Sequence, residues 1–240
     1  MRSNNRYRLK RNEIVALEKM RSSQSRNILV IGDLHEPFCL NGYLEFCIEQ
    51  YEKYSCNQVI FIGDIIDAHG WSYHEQDTDG LSAGNELSLA IKRIRKWYKA
   101  FPKADVCIGN HDRLAARKAM TGGIPSKWIK GYNEVLGTPK WNWVESVTYD
   151  NVLYEHGEGG QALTKSKNNM MSSVCGHTHT SCYTQWLVGK KFRVFATQVG
   201  CGVDAKSYAA AYARNFKKQA IGCAVVLENG TLPINLLMPL

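Results

Sequence analysis

Short apolar runs rich in β-branched residues recur at 27–32, 58–63 and 104–108, and each runs straight into a glycine followed by polar residues. Their length is that of buried strands. Between them the period changes. Leu87, Ala90, Ile91, Ile94, Trp97, Tyr98 and Phe101 repeat every three to four residues, which predicts a helix over 86–101, with Lys92, Arg93, Arg95, Lys96 and Lys99 on its other face. Strands alternating with helices imply right-handed crossovers and a parallel central sheet, hence an α/β fold.

Beyond residue 140 the pattern shifts to "WNWVESVTYDNVLYEHG", "SCYTQWLVGKKFRVFATQVG" and "CAVVLENGTLPINLLM". The second of these reads as a hairpin turning at "VGKK", and the third turns at Asn229-Gly230. They predict a second, mostly antiparallel sheet. Residues 113–140 read as a helical insertion punctuated by Gly122-Gly123 and Pro125, while 68–85 has no period and reads as a loop.

At 240 residues with 44% hydrophobic positions, the chain can bury one substantial core, and the reading is a basic arm over 1–26 followed by a single domain over 27–240. No run reaches the ~18 apolar residues needed to span a bilayer, and the basic start lacks the apolar centre of a secretory signal. The expectation is a soluble, intracellular protein of the cytoplasm with no membrane partner. Eight cysteines without a C-x-x-C pair fit that reading, and Cys107 and Cys175 sit inside apolar stretches as small core residues. The formal charge of +8 is uneven: residues 1–26 carry eight Lys or Arg against Glu13 and Glu18. Such a leader suits a polyanion such as nucleic acid; its other reading is a solvated arm.

The chemistry lies where the apolar runs stop. In an open α/β sheet, ligands gather at the carboxyl ends of the strands. There the chain places Asp33 and His35, then Asp64 and Asp67, then Asn110, His111 and Asp112. The second half adds His156 in "YEHGEGG" and His177 and His179 in "GHTH". Gly32, Gly63, Gly109 and Gly176 each precede one of these groups, as expected where backbone passes close to a bound ion or phosphate. Asp, His and Asn supply the oxygen and nitrogen donors that borderline divalent ions accept, enough for two ions bridged by one carboxylate with a hydroxide trapped between them. A small zinc knot of Cys175, His177, His179 and Cys182 would use part of the set but leave the acidic clusters unexplained.

The order D-x-H, G-D-x-x-D, G-N-H-D, H and G-H-x-H, running from residue 28 to about 180, resembles the calcineurin-like metallophosphoesterases. The resemblance implies a four-layer αββα sandwich of two mixed sheets. It further implies that Asp33, His35 and His179 hold one divalent ion, that Asn110, His156 and His177 hold the other, and that Asp64 bridges them. Manganese is the expected metal, with iron, nickel or zinc as alternatives. His111 would act as general acid or phosphate clamp with its ring fixed by Asp112, and Asp67 would orient the ligands. Arg113, His69 and His74 are candidate substrate contacts, although Arg113 could face water and 68–85 could be a polar surface loop.

Phosphoprotein phosphatases of the superfamily carry G-D-x-H-G and G-D-x-x-D-R-G, whereas Glu36 and Ala68 stand at the departing positions here. The resemblance is therefore nearer the phosphodiesterase and nuclease branches, and a phosphodiesterase acting on nucleic acid or a nucleotide is expected. A phosphomonoesterase is the rival, and a binding module that keeps the metal cage without turnover is a third reading.

Overall fold

The computed structural model describes residues 10, 11, 14, 25–73, 79–206 and 218–239. Its first strands follow the apolar runs: β1 (Ile28–Ile31), β2 (Gln58–Phe61) and β3 (Ala104–Cys107), with α1 (Tyr43–Lys53) and α2 (Ala83–Ala100) as crossovers. Pairing of β1 with β2 and of β2 with β3 is parallel, so the three carboxyl ends lie along one edge. Helix α2 starts earlier than the hydrophobic period indicates, because Ser82 caps it by accepting from the Asn85 N–H.

The remaining elements are α3 (Leu114–Thr121), α4 (Tyr132–Leu136), β4 (Trp141–Val144), β5 (Ser146–Tyr149), β6 (Val152–Glu155), α5 (Ala162–Asn169), β7 (Ser172–Cys175), β8 (Tyr183–Val188), β9 (Arg193–Gln198), β10 (Gly222–Leu227) and β11 (Leu232–Leu237). One sheet runs β11-β10-β1-β2-β3-β4 and the other β5-β6-β7-β9-β8. Two expectations need correction here. The second sheet is mixed: α5 carries the chain from β6 to a parallel β7, and β7 pairs parallel with β9. The terminal hairpin joins the first sheet, with β10 antiparallel to β1.

Alternation along the strands builds the layers. Leu29, Ile31, Val59 and Phe61 pack on the helical side with Tyr43 and Phe46 of α1 and Ile94 and Trp97 of α2. The intervening Ile28, Val30, Ile60 and Ile62 face the other sheet, meeting Val152, Tyr154, Val174 and Phe195. Ala162 of α5 packs on Cys175 and Ala196 from the far side. Helices, sheet, sheet and helix make the expected αββα sandwich.

The supposed end of the basic arm is part of the domain. Arg26 pairs with Asp150 at 3.0 Å and lies 4.7 Å over the Tyr149 ring. The rest of 1–24, apart from Lys10, Arg11 and Ile14, lies outside the described residues. All eight cysteines are free, and Cys182 sits against the Val199 carbonyl and Asn235, away from any zinc knot.

Glu36 marks a buried ion pair. Its carboxylate accepts from Arg93 Nε at 2.5 Å and from Trp97 Nε1 at 2.9 Å, tying the loop after β1 to α2. Glu36 is 2% exposed, so Arg93→Ala leaves a buried carboxylate with only the indole as partner. The expected cost is about 2–3 kcal/mol, below the full cost of orphaning a buried charge because Trp97 still donates. Urea titration of metal-free protein measures it, and an unchanged midpoint would rule the pair out as a stabilising contact.

Candidate metal centre

The loops at the carboxyl ends of β1, β2 and β3 meet those following β6 and β7 across the gap between the sheets. Asp33 emerges from β1 fully buried; its Oδ2 accepts from the His177 N–H at 2.8 Å and lies 3.1 Å from His179 Nε2. Asp33, His35 and His179 have ligand atoms close enough together to hold an ion, and so do Asp64, His156 and His177.

Asp64 lies between the two groups. Its Oδ2 is 3.5 Å from His35 Nε2 on one side and 3.1 Å from His156 Nε2 on the other, while Oδ1 accepts from the His111 N–H at 2.9 Å. Asn110 joins through Oδ1, 2.9 Å from His156 Nε2, which in turn is 3.2 Å from His177 Nδ1. All seven residues that the motif comparison singled out thus converge.

Several observations fit this cage to cations. Asp33 Oδ1 and His35 Nε2 are buried without a hydrogen-bond partner in the protein, which is costly unless something else satisfies them. A Cβ at Gly109 would overlap Asp64 Oδ1, and one at Gly176 would overlap Asp33 Oδ1, so these glycines let backbone press against the carboxylates. His35, Asp64 and His177 hold left-handed backbones at φ 48°, 48° and 66°, rare for residues with a Cβ and concentrated where side chains must be aimed inward.

Neighbouring residues hold the cage in shape. Asp67 Oδ1 sits 2.7 Å from His35 Nδ1, fixing the ring so that Nε2 points inward. His156 is oriented likewise, with Nδ1 donating to the Ile62 carbonyl at 3.0 Å. Gln198, which nothing in the sequence flagged, donates to the Gly176 carbonyl and accepts from the Ala162 N–H, bracing the "GHTH" loop. Glu86, also overlooked, accepts from the backbone N–H groups of His69 and Gly70 at 2.9 and 2.7 Å and fixes the turn beyond Asp67. Its only sequence signal was an acid on the apolar side of α2.

Three expectations change. Asp112 does not fix the His111 ring: it accepts from the backbone N–H groups of Gly109, Ile65 and Ile66 and so ties two loops together. The His111 ring is held by Nδ1 donating to the Asp67 carbonyl. His69 is buried in a 3-10 turn, His69–Trp71, so 68–85 is not simply a polar surface loop, and His74 lies outside the described residues. Arg113 neither faces water alone nor stands ready for phosphate. Its guanidinium pairs with Glu145 and, at 2.8 Å, with Glu158, on the wall of a cavity of about 400 Å³ beside His156.

Burial and crowded charge perturb these groups. Burial alone would lower His156, but the Asp64 carboxylate outweighs it and raises the imidazole to about 10. Burial works against ionised Asp64 too, yet His156 and its neighbours hold the carboxyl well below its usual range. Burial and nearby Asp64 push Asp112 up to about 7. In the metal-free site His156 therefore carries the proton and faces an ionised Asp64. A cation taking His156 Nε2 must displace that proton, because only the neutral imidazole coordinates. Metal uptake should release protons and strengthen by about tenfold per pH unit for each proton displaced below pH 10. Calorimetry in buffers of different ionisation enthalpy reads the release; a heat independent of buffer would contradict it.

A sandwich that gathers aspartates, histidines and an asparagine at its strand ends defines a metal-dependent hydrolase class. The family model for calcineurin-like phosphoesterases matches residues 26–193, and the chain belongs to that family. Membership implies a hydrolase acting on phosphoester bonds. Similar solved structures include vacuolar protein sorting 29 from Cryptosporidium parvum, at 13% identity over 88% of this chain and 89% of that one with a TM-score of 0.46. A second is YfcE, a phosphoesterase from E. coli, at 11% identity over 88% and 99% with a TM-score of 0.43. A third is the Pseudomonas putida nuclease MPE, at 14% identity over 87% of each chain with a TM-score of 0.36. No curated protein matches the chain. Among the described residues, no helix is long and apolar enough to cross a membrane.

Proposed function

We propose that the protein is a two-metal phosphodiesterase acting on nucleic acid or nucleotide phosphodiesters, in the cytoplasm and with manganese as its working metal. The observation that carries the two-metal reading is Asp64 Oδ2, placed between His35 Nε2 at 3.5 Å and His156 Nε2 at 3.1 Å. A carboxylate in that position serves both halves of the cage. Asp33, His35 and His179 would hold one ion, and Asn110, His156 and His177 the other. Such ions would lower the pKa of a bound water and neutralise charge on the phosphoryl oxygens.

The chain's own groups do the rest. His111 sits at the rim with its side chain 18% exposed, and the Asp67 carbonyl fixes the proton on Nδ1. Burial alone would lower its pKa, but Asp64 and Asp67 raise it on balance, which favours a second proton on Nε2 for a leaving oxygen. Preference for a diester is supported by what surrounds the cage. A monoester dianion needs more neutralisation than a diester monoanion, yet buried Ala68 stands where phosphoprotein phosphatases carry arginine. The Arg113 charge is already balanced by Glu145 and Glu158.

With Mn²⁺ added, the purified protein should hydrolyse an aryl phosphodiester faster than the matching monoester, and chelation should abolish turnover. A much faster monoester would make it a phosphatase. Folded, metal-loaded protein with no turnover on either would favour a binding module.

A further inference from the structure

Residues 113–131, "RLAARKAMTGGIPSKWIKG", contain five cations and no acid; Arg113 is paired with Glu145 and Glu158, and Lys130 with Glu134 at 2.6 Å on the exposed surface, so Arg117, Lys118 and Lys127 lead the positive face. The segment grows out of the candidate site, because the Leu114 N–H donates to the His111 carbonyl at 3.1 Å as α3 begins. At the far end of α3 the chain turns back, with the Ile124 N–H on the Ala119 carbonyl at 2.8 Å, and every residue from Met120 to Gly131 is exposed. Trp128 is 80% exposed, on a 3-10 turn whose neighbours are Lys127 and Lys130. Tyr73 lies alongside: its hydroxyl is 3.2 Å from Thr121 Oγ1, and its ring sits under Arg117 at 5.4 Å and Lys118 at 5.0 Å.

An indole left in water forgoes the gain from burial, and Met120, Ile124 and Ile129 of the same segment are exposed with it; exposed apolar groups gathered in one segment and rimmed by like charges mark an interaction surface. The chemistry of the rim selects the partner. Cations interleaved with exposed aromatic faces suit a flexible polyanion that also carries flat rings, in which phosphates lie on the lysines and arginines and bases stack on the aromatics. A duplex keeps its bases stacked inside and offers the indole nothing. We propose that the 113–131 segment, with Trp128 at its centre and Tyr73 beside it, is a docking platform for single-stranded nucleic acid that feeds the strand toward His111. The proposal rests on the phosphodiesterase reading for its purpose but not for its test.

The test is fluorescence anisotropy with a labelled single-stranded oligonucleotide and its duplex, using the full chain with chelator present so that nothing is cleaved. Turnover of an aryl phosphodiester with Mn²⁺ is measured in parallel. The single strand should bind more tightly than the duplex. Trp128→Ala should weaken single-strand binding about tenfold. The Lys127→Glu, Lys130→Glu double variant should also flatten the salt dependence by a slope of about 1.4. Aryl diester turnover should be unchanged in both. Single-strand binding indifferent to Trp128 would overturn the platform, as would anionic phospholipid vesicles binding through Trp128 while the oligonucleotide does not bind. If Trp128-dependent binding is found but no phosphodiester is cleaved, the platform stands and the activity reading falls. If the aryl diester is cleaved without such binding, the platform falls alone.

Discussion

Asp64→Asn should reduce phosphoester turnover by at least about a thousandfold and lower the metal content of the purified protein. The substitution keeps the shape of the side chain and removes its charge. That charge lies within 3.5 Å of two imidazoles belonging to different halves of the cage, so neither half retains its full donor set. Electrostatic stabilisation by bound cations is worth several kcal/mol, and each 1.4 kcal/mol is a factor of ten in rate. Metal analysis by mass spectrometry distinguishes lost ions from lost chemistry. Turnover within tenfold of wild type would show that Asp64 does not bridge the centre.

The second large effect is expected at His111. His111→Ala should slow hydrolysis of esters with poor leaving groups by about a hundred- to ten-thousandfold, the range typical of a positioned general acid. Esters that release a stabilised phenolate should lose far less, since that oxygen departs without a proton. The pH profile carries a matching sign. Because its surroundings raise the His111 pKa, the acid form persists to higher pH than in a free imidazole, and the wild type should lose activity as pH climbs past that pKa. The variant should lack this alkaline limb. Equal loss on all leaving groups, with the limb retained, would reassign His111 as a clamp on the phosphate.

The cage was legible in the sequence because each of its pieces ends a strand, where a glycine and a polar group interrupt an apolar run. Strand polarity and the rule that parallel strands share an active edge carried Asp33, Asp64 and Asn110 to one place. His156 and His177 came instead from the motif order of the family that the chain resembles; in the structure they follow β6 and β7, whose parallel pairing turns on α5. That helix, "ALTKSKNN", buries only Ala162 and Ser166 and so has almost no apolar period. Without it the second sheet reads as antiparallel. Placement of β10 beside β1 depends on a pairing nearly 200 residues apart in sequence, for example Ile28 with Val226, which no local pattern encodes.

Asp112 was misread for a related reason. It follows His111 directly, and the family resemblance implies that it fixes that ring. Consecutive residues in an irregular loop need not aim at the same place, and this carboxylate serves backbone N–H groups beneath the site instead. Glu36 stands where phosphoprotein phosphatases carry glycine, and the sequence marks it only as a departure from them. Its partners Arg93 and Trp97 lie 57 and 61 residues away on α2 and became visible only in three dimensions.

Anomalous diffraction from crystals grown with excess Mn²⁺ is the most direct measurement of the central claim. Two manganese peaks are predicted, one among Asp33, His35 and His179 and the other among Asn110, His156 and His177, with Asp64 between them. A map without manganese in that cage, or with the histidines turned away from Asp64, would contradict it.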